Sequence, residues 1–282
     1  MLPAIRCNIT KLQNQFAFHP PHSTYQLDET ASLKWVDGQP PPPPSGVDLR
    51  TSFTTTTRGN RVALFHFVRA GAEVTVLWSH GNAMDCGECV ELLQVLAIKL
   101  NVNVLAYDYA GYGASSGVPS EAGTYADISA AHGYLASLGV GDDKIVVVGQ
   151  SVGSGPSLWL TERHPSLRGL FLMSGLLSGL RVLSSAPCCS VAGFCGPPVA
   201  FMCFDIYPNL RRIRRVSCPV LVMHGTEDEV IHVSHGQELH RLCPPHLRRE
   251  PHFVVGAGHN DVVEMDPEGF FRVVGGFLQS LK

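Results

Sequence analysis

Gly149-Gln150-Ser151-Val152-Gly153 decides the fold of this chain, because this G-x-S-x-G stretch directly follows the short β-branched run 144–148. The next segment, 154–164, can start a helix. A strand, a sharp turn and a helix in this order are the context in which the pattern predicts a nucleophile elbow. Both glycines are needed there because a side chain at either position would crowd the strained turn. An ordinary Gly/Ser turn is the alternative, and the flanking strand and helix favour the elbow.

The composition is typical of a globular protein with one large α/β domain. The chain has 282 residues, of which 45% are hydrophobic and 16% are charged, so it can bury a sizeable core. A net charge of −3 gives no electrostatic reason to expect nucleic acid as a partner. No window approaches the roughly 18 uninterrupted apolar residues of a membrane span, and residues 1–14 lack the apolar region of a secretory signal.

The nine cysteines form no disulfide framework and predict mostly free thiols in a reducing, cytoplasmic compartment. Cys86-Gly-Glu-Cys89 has the spacing of a redox or zinc motif, but no second pair of Cys or His lies at a matching interval. We interpret these two cysteines as small residues entering a helix. The sequence therefore predicts neither a metal ion nor a cofactor.

Strands and helices alternate through residues 48–282, which we predict to be one hydrolase-type domain. Residues 1–47 are predicted to be an irregular leader, in which Pro40–Pro44 forms a stiff polyproline spacer. The predicted strands are Val62–Val68, Val74–Ser79, Val102–Tyr107, Lys144–Val148, Leu170–Met173, Pro219–His224 and His252–Val255. The predicted helices are Gly87–Leu100, Ser120–Leu138, Ser154–His164, Val233–Leu242 and Pro267–Leu281. This alternation indicates an α/β fold with a mainly parallel, doubly wound sheet covered by helices on both faces.

Two later loops supply the partners that a serine nucleophile needs. A serine hydroxyl requires a histidine to take its proton, and the histidine requires a carboxylate to fix its tautomer. Asp228 follows the predicted strand 219–224, and His259 follows the strand that ends at Val255. The order Ser151, Asp228, His259 is the order of an α/β-hydrolase. The weaker rivals are Glu227 and Glu229 on the same loop, His252 at the wrong end of its strand, and His235 and His240 on a predicted surface helix.

The loop Ser79-His80-Gly81-Asn82-Ala83 follows the strand 74–78, where a hydrolase places its first oxyanion donor. We assign the backbone N–H groups of Asn82 and Val152 as the two donors. A plain turn is the alternative. The glycine-rich segment 108–117 is predicted to shape the floor of the cleft.

Several long strings resemble the family-seventeen α/β-hydrolase-domain proteins, and the resemblance covers most of the chain from about Phe16 onward. The strings are Arg58–Val62, Ser79–Ala83, Tyr107–Gly117, Gly149–Gly153, Cys203–Asn209, His224–Ile231 and Gly256–Asp261. That family comprises membrane-associated acyl-protein thioesterases, which remove palmitate from cysteines of other proteins. The resemblance implies Ser151, Asp228 and His259 as nucleophile, acid and base, S-acylated proteins as partners, and a peripheral position at a membrane. A serine peptidase of the prolyl-oligopeptidase type and a non-catalytic binding protein are the alternative functions.

Two departures from the family concern the membrane. The family begins with a palmitoylated cysteine cluster, whereas the leader here holds only Cys7. The apolar insert Leu183–Phe201 is predicted to be a lid that touches the membrane or the acyl chain, and a buried loop is the alternative. Three cysteines of this insert are candidates for palmitoylation: Cys188, Cys189 and Cys195. A basic cluster follows the insert and is predicted either to contact anionic lipid or to form a solvated helix face: Arg211, Arg212, Arg214 and Arg215.

Overall fold

An eight-stranded sheet forms the centre of the protein in the computed structural model, which describes residues 17–36, 38, 46–184 and 205–281. Its strands are β3 (Val47–Thr55), β4 (Arg61–Arg69), β5 (Thr75–Ser79), β6 (Asn103–Tyr107), β7 (Ile145–Gln150), β8 (Gly169–Met173), β9 (Val220–Gly225) and β10 (His252–Val254). They lie in the order β10-β9-β8-β7-β5-β6-β4-β3. The pairs from β6 through β5 to β10 are parallel, and β4 pairs antiparallel with both β6 and β3. The predicted mainly parallel sheet is confirmed.

Helices cover both faces of this sheet. They are α1 (Cys86–Leu100), α2 (Glu121–Ser137), α3 (Ser154–Arg163), α4 (Gly179–Ser184), α5 (Asn209–Arg212), α6 (Ser234–Leu242), α7 (Val262–Met265) and α8 (Pro267–Ser280). The apolar residues form two clusters, one containing side chains of α1 and α8 and the other containing those of α2, α3 and α6. Along β7, Ile145 and Val147 join one cluster while Val146 and Val148 join the other. This alternation follows from the two-residue period of a strand that is buried on both sides.

The helix ends follow the sequence closely because local capping chemistry sets them. The Asp85 side chain accepts a hydrogen bond from the Glu88 N–H and so satisfies a free donor in the first turn of α1. That helix ends at Asn101, which takes the left-handed conformation. Asp266 caps α8 in the same way, and Pro267 occupies its first turn. The predicted strands and helices from Val62 onward end within one or two residues of the observed ones.

The described part of the leader is folded, contrary to the predicted irregular chain. The strands β1 (Tyr25–Leu27) and β2 (Leu33–Trp35) form an antiparallel hairpin, and the Asp28 carboxylate accepts from the N–H groups of Thr30 and Ser32 in its turn. Tyr25 is fully buried in the cluster beneath α1, and its hydroxyl donates to Asp108. The hairpin is therefore stabilised by contacts with the main sheet.

The edge strand β3 is a second element that the sequence did not predict. It pairs with β4 over its whole length, and most of its side chains are partly or fully exposed. An edge strand of this kind has no continuous apolar run to signal it.

The polyproline stretch and most of the lid insert lie outside the described residues, as do Cys7, Cys188, Cys189 and Cys195. Among the helices that the structure describes, none combines the length and the apolar character needed to cross a membrane.

Candidate active site

The connection order of the sheet creates a crevice between β5 and β7. From β5 the chain moves to β6 on one side, and from β7 it moves through β8 to β10 on the other side. Parallel sheets bind ligands at such a switch point, outside the carboxyl ends of the strands. The loop 80–84 leaves the end of β5 and Ser151 leaves the end of β7, so both lie at this crevice.

Ser151 occupies a strained turn between β7 and α3. Its φ is +53°, a left-handed value that costs a residue with a side chain about 1–3 kcal/mol. A Cβ at Gly149 would lie 2.7 Å from the Gly153 carbonyl oxygen, and a Cβ at Gly153 would lie 2.8 Å from that of His80. Real side chains do not tolerate such contacts, so close packing of strand, loop and helix requires both glycines of the elbow.

Ser151, His259 and Asp228 form a continuous chain of hydrogen-bonding distances. The Ser151 Oγ is 2.9 Å from His259 Nε2, and His259 Nδ1 is 2.7 Å from Asp228 Oδ2. A proton on Nδ1 is donated to the carboxylate, which leaves Nε2 to accept from the serine hydroxyl. All three residues are buried. The three residues that the sequence singled out thus lie in the geometry of a proton relay.

Asp228 accepts hydrogen bonds at both carboxylate oxygens. Its Oδ1 accepts from the N–H groups of Val230 and Ile231 at 3.0 and 2.7 Å, and its Oδ2 faces His259. Burial raises the pKa of Asp228, but the hydrogen bonds from His224 and His259 outweigh it and leave that pKa well below its ordinary value. The carboxylate is therefore ionised at neutral pH and fixed in position.

His224, in β9, is a fourth member of this cluster that the sequence analysis missed. Its Nε2 lies 3.0 Å from Asp228 Oδ2 and 2.7 Å from the Ile231 carbonyl oxygen, so the Nε2–H has two acceptors. The ring is fully buried, and a Cβ at Gly236 would lie 2.6 Å from its Nδ1. The spacing of four residues between His224 and Asp228 was the available signal, but it acquires meaning only when the loop folds back on the strand.

The loop after β5 is held firmly next to the elbow. A Cβ at Gly81 would lie 3.7 Å from Gln150 Cδ, so this loop contacts the residue before the serine. The Asn82 side chain accepts from the Tyr112 hydroxyl at 2.7 Å and donates to the Ala17 carbonyl at 3.0 Å. These contacts hold the Asn82 side chain between Tyr112 and the described part of the leader. The assignment of the Asn82 and Val152 N–H groups as oxyanion donors stays a prediction.

The segment 108–117 packs against the loop 80–84. The Tyr109 hydroxyl donates to the His80 carbonyl at 2.6 Å, and Asp108 is fully buried and accepts from the Cys86 N–H at 2.9 Å. His80, Cys86 and Asp108 are close enough to hold a metal ion together. Burial, followed by the Asp108 carboxylate, raises the pKa of Cys86, which disfavours the thiolate that a metal requires. The cluster fits a structural role better.

Three of the rival residues make contacts outside the relay. His252 contacts Asp266 at 3.1 Å, and Glu229 lies against Gly258. His235 does lie on a helix, but on its buried side and not on the surface, and its Nδ1 accepts from the Leu177 N–H at 3.1 Å. Half of the predicted basic cluster is paired within the protein: Arg212 donates to the Tyr125 hydroxyl and Arg215 to Glu162.

The architecture and the position of Ser151 define the protein as a member of the α/β-hydrolase class. A family profile described as the alpha/beta hydrolase fold matches residues 74–188. The esterase Pf2001 of Pyrococcus furiosus superposes with a TM-score of 0.67 at 19% identity, over 93% of this chain and 98% of that one.

Curated relatives narrow this class to a family. The α/β-hydrolase domain-containing protein aho-3 of Caenorhabditis elegans is 41% identical over 90% of this chain and 74% of its own length. The α/β-hydrolase domain-containing protein 17B of Homo sapiens is 38% identical over 96% of this chain and 90% of its own length. The chain belongs to the family of α/β-hydrolase domain-containing protein 17.

Proposed function

We propose that the protein is a serine hydrolase that cleaves long-chain acyl thioesters and removes palmitate from S-acylated proteins at a membrane surface. One observation carries the catalytic part of the proposal: the strained Ser151 lies 2.9 Å from a histidine whose other nitrogen faces an ionised aspartate. The thioester and membrane parts rest on the family resemblance, because a hydrolase fold does not fix its substrate.

The proposed reaction has two halves. In the first, Ser151 Oγ attacks the thioester carbonyl carbon while its proton passes to His259 Nε2, and the N–H groups of Asn82 and Val152 face the resulting oxyanion. The C–S bond then breaks, and the cysteine sulfur leaves with the proton from His259. In the second half, His259 takes a proton from water, the hydroxide attacks the acyl-enzyme, and Ser151 recovers its proton as the fatty acid departs.

Covalent labelling and a substrate panel test this proposal. A fluorophosphonate probe is expected to label the purified protein once, and Ser151→Ala is expected to abolish labelling and to lower turnover by roughly 10⁵-fold or more. Ser137→Ala, at an exposed serine of α2, is the matched control and is expected to label normally. Persistent labelling of Ser151→Ala would refute the nucleophile assignment.

The substrate panel separates the remaining functions. It contains a palmitoyl thioester peptide, the oxygen ester of the same peptide and a non-acylated peptide. We expect cleavage of the thioester above the ester and none of the peptide bonds. Preferential peptide cleavage would indicate the peptidase, and an unlabelled, inactive protein would indicate the binding protein.

A further inference from the structure

A second group, of two histidines and an aspartate, lies at the opposite end of β7 from Ser151. His132 belongs to α2, Asp142 to the 3-10 turn Asp142–Lys144 that precedes β7, and His164 follows the last residue of α3. Since β7 separates this group from Ser151 by six residues, the two sites lie about 20 Å apart along the strand. The group therefore belongs to neither the proposed reaction nor its crevice.

The geometry of this group brings three possible metal ligands together from three elements. His132 Nε2 is 2.7 Å from Asp142 Oδ1, and His164 Nδ1 is 3.2 Å from Asp142 Oδ2. The imidazole centroids are 4.3 Å apart at an angle of 55°, and one ligand atom from each residue lies within 4.8 Å of the other two. Zinc bonds of about 2.0–2.2 Å place ligand atoms roughly 3–3.5 Å apart, so small side-chain rotations are sufficient.

The surroundings leave room for an ion and for water. The side chains of His132, Asp142 and His164 are 12%, 27% and 35% exposed, so an ion would keep an open face. The neighbouring cations have contacts of their own: Arg168 donates to the carbonyls of Asp143 and Leu281, and Arg163 lies 4.1 Å above the Trp159 ring. Both guanidinium groups are therefore engaged by partners other than the two imidazoles.

We propose that His132, Asp142 and His164 bind a zinc ion, with His132 Nε2, His164 Nδ1 and one Asp142 oxygen as ligands and water in the fourth position. Two imidazoles and a carboxylate are a donor set that suits Zn²⁺. To bind the ion, each imidazole must present an unprotonated nitrogen, and the Asp142 carboxylate exchanges its contacts with the two imidazoles for the ion. Because the ligands come from α2, the 3-10 turn and the residue that follows α3, the ion links these elements and stabilises the fold away from Ser151.

Metal titration of the full chain, without a histidine tag, tests this site. Isothermal titration with ZnCl₂ is expected to show one site that His132→Ala and His164→Ala each weaken about tenfold or more. A tenfold excess of Zn²⁺ over its Kd is expected to raise the Tm by about 3 °C in the unmodified protein. His252→Ala is the matched control, because it removes a histidine that also faces an aspartate but, among the described residues, belongs to no group of three possible metal ligands.

Substitution of Cu²⁺ for Zn²⁺ identifies the ligands directly and excludes the cysteines. Electron paramagnetic resonance is expected to show coupling to two imidazole nitrogens, reduced to one in His132→Gln and in His164→Gln, which are milder changes if an alanine variant fails to fold. The proposal is overturned if the unmodified protein binds no Zn²⁺, or if the Gln variants keep both nitrogen couplings. If the His132 and His164 variants lose Zn²⁺ binding but retain full acyl hydrolysis, the result supports the zinc site and leaves the proposed function intact.

Discussion

Two Asp residues in this protein each lie between two histidines. Asp228 lies beyond the carboxyl end of β9, and Asp142 lies before the amino end of β7. Asp228 contacts His259 at 2.7 Å and His224 at 3.0 Å, and Asp142 contacts His132 at 2.7 Å and His164 at 3.2 Å. The distances are nearly the same, yet the two clusters differ in everything around them. Residue types and separations alone therefore do not determine what such a cluster does.

Burial and backbone donors account for the difference. The Asp228 side chain is fully buried, both histidines point at its Oδ2, and two backbone N–H groups occupy its Oδ1. No lone pair of this carboxylate remains for an ion, and the other ring nitrogen of His259, Nε2, lies 2.9 Å from Ser151 Oγ. Asp142 instead presents one oxygen to each histidine in a partly exposed position. The first arrangement favours proton transfer, and the second leaves space for coordination.

Exchanging each aspartate for asparagine gives the largest expected contrast. Asp228→Asn is expected to lower kcat by about 10⁴ with the fold retained, because an amide favours the wrong tautomer of His259. Asp142→Asn makes the same chemical change in the exposed cluster and is expected to leave kcat within about twofold. Steady-state hydrolysis of an acyl thioester, with Tm as a check on folding, measures both. Similar losses in the two variants would contradict the division of roles drawn here.

The relay order was readable from the sequence because motif and strand signals coincide there. Ser151, Asp228 and His259 each follow an apolar run, and the carboxyl ends of parallel strands meet at one edge. The other contacts were not readable in this way. His224 faces Asp228 only after the loop turns back, and His132 meets His164 because α2 and α3 pack side by side. Such pairs depend on the tertiary arrangement of elements and leave no periodic pattern in the chain.

The fold of the leader could not be predicted from the sequence for the same reason. Tyr25 packs in the apolar cluster beneath α1, and its hydroxyl donates to Asp108, 83 residues further along the chain. A three-residue strand such as β1 is too short to show a reliable alternation of apolar and polar residues. Its stability comes from packing against the main sheet. The strand β3 is likewise stabilised by pairing with β4 and not by an apolar run of its own.

Substitution of His224 tests whether the second histidine positions the carboxylate. His224→Leu removes a donor from Asp228 and is expected to lower kcat by about 10- to 100-fold with KM nearly unchanged. His224→Gln retains a donor and is expected to lose less. A lost donor raises the pKa of Asp228 and leaves a more basic carboxylate beside His259, which favours the imidazolium. The acid limb of the kcat/KM profile is therefore expected to move to higher pH in His224→Leu.

His132→Gln is the matched control for this change, since it alters one histidine of the exposed cluster. It is expected to leave both kcat and the pH profile unchanged. A purely structural role for His224 would instead lower Tm and the amount of active protein without moving the acid limb.

The smallest effect on turnover is expected at His235, a buried histidine beside His224 whose titration changes stability instead. Burial, followed by repulsion from His224, lowers the pKa of His235 to about 4, and its Nδ1 accepts from the Leu177 N–H. In the unfolded chain its pKa returns to about 6.5. Between these values the unfolded state binds a proton that the folded state does not, so stability falls as the pH drops from 6.5 towards 4.

This linkage is expected to remove about 2–3 kcal/mol from the free energy of unfolding between pH 7.5 and pH 4.5. His235→Asn keeps an acceptor for the Leu177 N–H but cannot titrate, so its loss over the same range should be smaller by about that amount. The exposed His22→Asn controls for the substitution itself, and urea unfolding at pH 7.5, 6.0 and 4.5 measures all three proteins. His66, whose pKa burial also lowers to about 4, leaves a residual pH dependence in His235→Asn. Equal slopes for His235→Asn and the unmodified protein would mean that His235 is protonated within the fold, and the contact with Leu177 would then be absent at low pH.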